Sequence, residues 1–116
     1  MKDFSIKNLT RSNERRKLFN PISMGSYKIS IQADEYAYCE PREDGLHPSS
    51  YTEMEVAFLS NDNNLLSEPF AYVPVQIIEE VIKDAEEMYM CDVYDDLSEC
   101  IKEHHGVHNE LNNKKQ

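Results

Sequence analysis

At Pro74 the apolar spacing of this 116-residue chain changes from every second residue to every third or fourth, and that switch bounds the fold more tightly than any other feature. Upstream, Tyr27, Ile29, Ile31 and Ala33 alternate with Lys28, Ser30 and Gln32, which predicts a half-buried strand over 26–33 that can continue through Tyr36 and Tyr38. Pro41, Gly45 and Pro48 then mark a loop from Glu40 to Ser50. Alternation returns between Thr52 and Leu59, with Met54, Val56 and Phe58 inward and Glu53 and Glu55 outward. Ser60 to Asn64 is a turn, and Leu65-Leu66 with Phe70 to Val73 forms a third strand, placed at a sheet edge by Pro69.

Downstream, Pro74 suits a first helical turn because its missing N–H has no partner there, and Ile77, Ile78, Val81, Ile82, Ala85, Met88 and Tyr89 make one apolar stripe. The stripe weakens through Val93, Leu97, Cys100, Ile101 and His104 and ends at Gly106, a residue suited to a helix C-terminus. A break near Cys91, with Asp92 as cap, gives two helices; one long helix is the alternative. The predicted fold is α+β: a small three-stranded antiparallel sheet packed by one or two C-terminal α-helices, with a basic N-terminal arm. Residues 1–25 are the arm, 26–108 the α+β domain and 109–116 a polar tail. The length fits one domain, and eleven Tyr and Phe give it enough to bury.

Charge is sorted along this framework. Residues 1–28 carry a balance of +5, residues 29–111 one of −17, and the whole chain −10. Such a field attracts cationic partners and repels nucleic acid, so direct nucleic-acid binding by the folded part is disfavoured. No stretch approaches the roughly 18 apolar residues of a membrane span, and the start lacks the apolar segment of a secretory signal. Cys39, Cys91 and Cys100 form no CxxC pair, which fits reduced thiols. A cytoplasmic protein is expected, without membrane contact.

The acidic run of the helical half is the leading candidate for a partner-binding surface: Glu80, Asp84, Glu87, Asp92, Asp95, Asp96, Glu99 and Glu103, with Glu79 and Glu86 beside them. Glu80/Asp84, Asp92/Asp96, Asp95/Glu99 and Glu99/Glu103 are like-charged pairs four apart, each costing a helix roughly 0.2–0.5 kcal/mol. Only Lys83 and Lys102 offset them locally, so the run reflects either solubility or a cationic partner. Arg11, Arg15, Arg16 and Lys17 of the arm can contact phosphates or fold back on the acidic helices, within one chain or between two copies. Cys100, His104 and His108 are spaced by four and are zinc-ligand types, but a helix ending at Gly106 separates them and a fourth ligand is lacking, so no metal or other cofactor is expected. Cys39 beside Arg42 is a conceivable activated thiol, yet no histidine has a fixed relation to it and no glycine-rich loop exists, so an enzyme is not expected. Tyr36 and Tyr38 read instead as closing a sheet edge or as a recognition surface.

At Tyr27–Arg42 (YKISIQADEYAYCEPR) and Phe70–Lys83 (FAYVPVQIIEEVIK) the chain resembles small acidic phage-encoded proteins of the anti-defence type, anti-CRISPR and anti-restriction inhibitors among them. The resemblance assigns no residue a role. It implies a protein that binds and blocks one host protein in a bacterial cytoplasm. The expectation is therefore a non-enzymatic protein-binding inhibitor, a nucleic-acid mimic in its physics, of a basic nucleic-acid-handling host protein such as a CRISPR or restriction nuclease component. The alternatives are an immunity protein for a nuclease toxin and a nucleic-acid-binding regulator that uses the basic arm; a homodimer is compatible with each.

Overall fold

The computed structural model describes residues 2–12, 18–85 and 89–114, with the backbone alone for 105–114. Among these, four strands form one antiparallel sheet in chain order: β1 (Ile22–Ser23), β2 (Lys28–Gln32), β3 (Glu53–Leu59) and β4 (Phe70–Pro74). Two α-helices follow, α1 (Val75–Asp84) and α2 (Met90–Lys114). The α+β expectation holds, with one strand more than predicted. That strand is β1, where Ile22 faces Ile29 and Ser23 faces Lys28. Two residues carry no periodicity, so β1 left no signal; Gly25 at φ +94° makes the turn that folds it onto β2.

Register converts alternation into a core. Ile29 lies opposite Phe58, Ile31 opposite Val56, and Met54 opposite Val73, so these six side chains share one face, each at most 2% exposed. Against this core pack Ile77, Ile78, Val81, Ile82 and Ala85 of the α1 region and Val93 and Leu97 of α2. Tyr94 of α2 closes the joint, its ring 5.7 Å from Phe58 and 4.9 Å from Phe70 between centroids. Pro74 ends β4 and stands at the N-cap of α1, one residue ahead of the first turn where its spacing placed it, and the first helical N–H, on Val75, donates to Thr52 O at 3.0 Å.

Three local expectations are corrected. The strand ends at Gln32 and does not continue through Tyr36 and Tyr38, because Asp34 is buried and its Oδ1 accepts the N–H groups of Tyr36 and Ala37 at 2.8 and 2.7 Å, an Asx turn that competes with the ladder. The helix does not stop at Gly106: α2 stays helical to Lys114, through most of the span read as a polar tail, since an internal glycine costs about 1 kcal/mol but does not forbid a helix. Finally, residues 1–25 supply Phe4, Ile6, Leu9 and Phe19 to the core, so their described part is packed in place. Ile6 N–H donates to Glu79 Oε1 at 3.0 Å, and the Gln32 side-chain amide both accepts from and donates to the Phe19 backbone at 2.8 Å, imitating a neighbouring strand. The short helix expected over 12–19 lies mostly outside the described residues, as do Arg15, Arg16 and Lys17.

Candidate functional site

An α-helix turns about 100° per residue, which puts Asp92, Asp95, Asp96, Glu99 and Glu103 of α2 within an arc of about 100°. Val93 and Leu97, both buried, lie on the side that meets the core. Asp92, Asp95, Glu99 and Glu103 are exposed and Asp96 is half-buried. On α1, Glu80 and Asp84 are exposed; Glu87 lies outside the described residues. Glu79 belongs to the same acidic run but does a different job, accepting from Ile6 N–H and Ser5 Oγ and so tying the N-terminal segment to α1.

Carboxylates of both helices act on Cys100. Its thiol is pushed up first by burial and then by the negative charges of Asp96, Glu80, Glu103 and Glu99. Glu80 of α1 therefore shares a field with three carboxylates of α2, while Asp92 and Asp95 continue the same face toward the start of that helix. A carboxylate in the first turn, where Asp92 lies, also suits the positive end of the helix dipole.

This arrangement predicts an order of thiol reactivity, because the thiolate is the attacking form. Cys91 is exposed and should alkylate first with iodoacetamide at pH 8, then Cys100, and last Cys39, which is 1% exposed. Replacing Asp96 and Glu99 with Asn and Gln should speed alkylation of Cys100 and leave the Cys91 rate nearly unchanged. Mass spectrometry of timed samples reads the order, and an unchanged Cys100 rate would contradict the clustering.

The other sequence candidates divide clearly. Cys39 is the reverse of an activated nucleophile: burial pushes its thiol up, and Sγ–H lies within donating distance of Asp34 O at 3.3 Å and Pro41 O at 3.4 Å. Arg11 is engaged internally, donating to Leu46 O at 2.9 Å and Tyr51 OH at 3.2 Å with its guanidinium 4.1 Å from the Phe19 ring centre. Among the described residues no three of His, Cys, Asp or Glu are grouped to hold a metal ion, and the side chain of His108 is outside that set. Among them, too, no helix is long and apolar enough to cross a membrane. An open cavity of about 490 Å³ lies on the polar side of the sheet between Phe19 and Lys28, whose Nζ donates to Asn63 Oδ1 at 3.0 Å.

Tyr72 is the residue that sequence reasoning passed over. It is 42% exposed, at φ +52°, with its ring centre 5.9 Å from that of Tyr38. Comparison of the chain with family models, curated proteins and solved structures finds no match.

Proposed function

We propose that this chain is a non-enzymatic inhibitor that binds a basic nucleic-acid-handling protein of a bacterial host, a CRISPR or restriction nuclease component being the fitting class, and occupies a groove that otherwise holds phosphates. The observation that carries this reading is the spacing on α2. From Asp92 to Glu103 the helix axis advances about 16 Å with five carboxylates on one face, about 4 Å per charge, against about 3.4 Å per phosphate along one strand of B-DNA. A groove whose Arg and Lys are set to that rise can engage the helix face in place of a strand. Glu80 and Asp84 widen the anionic surface on α1. A rigid helix also presents its charges without the ordering cost that a disordered acidic tail incurs on binding.

The experiment is affinity capture from a bacterial lysate with the intact protein as bait, followed by elution with double-stranded DNA and, separately, with salt. The expected result is retention of a nucleic-acid-handling protein that DNA displaces, with affinity falling tenfold or more between about 50 and 200 mM salt, since each phosphate-like contact adds close to one unit to the salt slope. Capture of a partner that neither DNA nor salt releases would overturn the reading.

A further inference from the structure

Tyr38 and Tyr72 meet at the β4 edge of the sheet, where regular pairing breaks. Met54 pairs with Val73 and Val56 with Phe70, so Glu55 alone on β3 faces both Ala71 and Tyr72 on β4, a bulge. Tyr72 occupies the left-handed region, which a bulky side chain adopts only under constraint. The constraint is visible: Tyr72 N–H donates to Tyr38 O at 3.0 Å, and Tyr38 N–H donates to Oε2 of Glu55, the residue opposite the bulge, also at 3.0 Å. Arg42, its Nε donating to Ala37 O at 3.1 Å, lays its guanidinium 5.1 Å from the Tyr38 ring centre. The outcome is two tyrosines turned out to solvent, 52% and 42% exposed. Edge protection does not require this, since the bulge and Pro74 already blunt β4, and glycine would hold the same backbone without strain.

We propose that Tyr38 and Tyr72, with Arg42 bracing the Tyr38 ring from one side, form a second docking surface, separate from the acidic helix face, that receives an arginine-bearing segment of a partner protein on the ring faces that Arg42 leaves open. Tyrosine and arginine are side chains that concentrate binding energy at interfaces, and exposed tyrosine rings attract guanidinium groups. Arg42 over Tyr38 is an internal example of that contact. Charge selects the partner: Glu55 is bonded to Tyr38 N–H at the bulge, and along the chain from Glu35 to Glu55 six carboxylates accompany Arg42, the sole Lys or Arg there. A local excess of that sign disfavours acidic segments and nucleic acid and favours a cationic one. Arginine fits better than lysine because its flat guanidinium stacks on a ring. From the function proposed above this inference takes only the basic character of the partner.

The test titrates fluorescein-labelled oligoarginine and oligolysine peptides of equal length into the intact protein, into Tyr72→Gly and Tyr38→Ala, and into a variant with Asp92, Asp95, Asp96 and Glu99 all changed to Lys, with a thermal melt for each. For the unaltered protein, oligoarginine should bind about threefold or more tighter than oligolysine. Tyr72→Gly should lose that preference while melting no lower, because glycine relieves the backbone, and Tyr38→Ala should lose it too. Equal binding of the two peptides by the unaltered protein, or an unchanged preference in both tyrosine variants, overturns the proposal. If the preference survives there while the helix-face variant loses affinity for both peptides, the acidic-face reading stands and this one falls. Loss of preference in the tyrosine variants with full affinity in the helix-face variant supports this surface and removes the acidic face.

Discussion

Changing Asp92, Asp95, Asp96 and Glu99 together to Lys is expected to abolish binding to the basic partner while the fold persists. The four side chains lie on the arc of α2 away from Val93 and Leu97, three of them exposed and Asp96 half-buried, and none belongs to the core. Helix stability should change little, since Asp92/Asp96 and Asp95/Glu99 repulsions become Lys/Lys repulsions of similar size, the lysine at position 99 would attract Glu103, and Lys favours a helix more than Asp does; these offset the loss of Asp92 from the positive end of the helix dipole, on the order of 1 kcal/mol. Binding is another matter. An exposed ion pair contributes about 0.2–1 kcal/mol, and reversal turns each attraction into a repulsion, so four sites amount to roughly 2–8 kcal/mol, from about 30-fold to beyond detection. The salt slope should collapse with the affinity, because phosphate-like contacts release counterions and repelled ones do not. Calorimetric titration at two salt concentrations, with circular dichroism as a check on folding, measures both quantities. An unaltered dissociation constant in the folded variant would remove the phosphate-mimic mechanism.

What the sequence made legible follows the length of each periodic signal. β2 and β3 show alternation over five and seven residues, and α1 shows its stripe over ten, so each was predictable with its inward face. β1 spans two residues and Asp34 ends β2 by a side-chain bond, events that no apolar period encodes. The packing of Phe4, Ile6 and Leu9 was hidden for another reason: their basic neighbours dominate the charge count, while the partner that fixes Ile6 is Glu79, far away in sequence. Charge itself was legible, and so was the shared arc of Asp92, Asp95, Asp96, Glu99 and Glu103 once a helix was assumed. That Glu80 acts on Cys100 together with carboxylates of α2 was not, because it depends on how α1 and α2 are docked. Tyr72 left a faint trace: Phe70 and Val73 are both core-facing yet three apart, a spacing that strict alternation forbids and a bulge permits.

The position of the acidic face rests on one joint, and Phe58→Ala should show how much. Phe58 is 0% exposed and touches both layers, its ring centre 6.1 Å from Tyr27, 6.4 Å from Phe70 and 5.7 Å from Tyr94 on α2. Truncating a buried phenylalanine costs about 3–5 kcal/mol, through lost burial and the cavity left behind, and the ring pairs add to that loss. A domain of this size has about 5–15 kcal/mol in total, so the variant should unfold at a far lower urea concentration and at the extreme fail to fold. Tyr94→Ala removes the α2 side of the same joint. Tyr94 is only half-buried, so the global loss should be smaller, but amide exchange at Val93 and Leu97 should quicken more than exchange in β2 and β3. The two variants together separate core support from helix docking. If Tyr94→Ala leaves exchange in α2 untouched, the helix is held by Val93 and Leu97 with Met90, Cys100 and Ile101, and the aromatic joint does not set where the carboxylates stand.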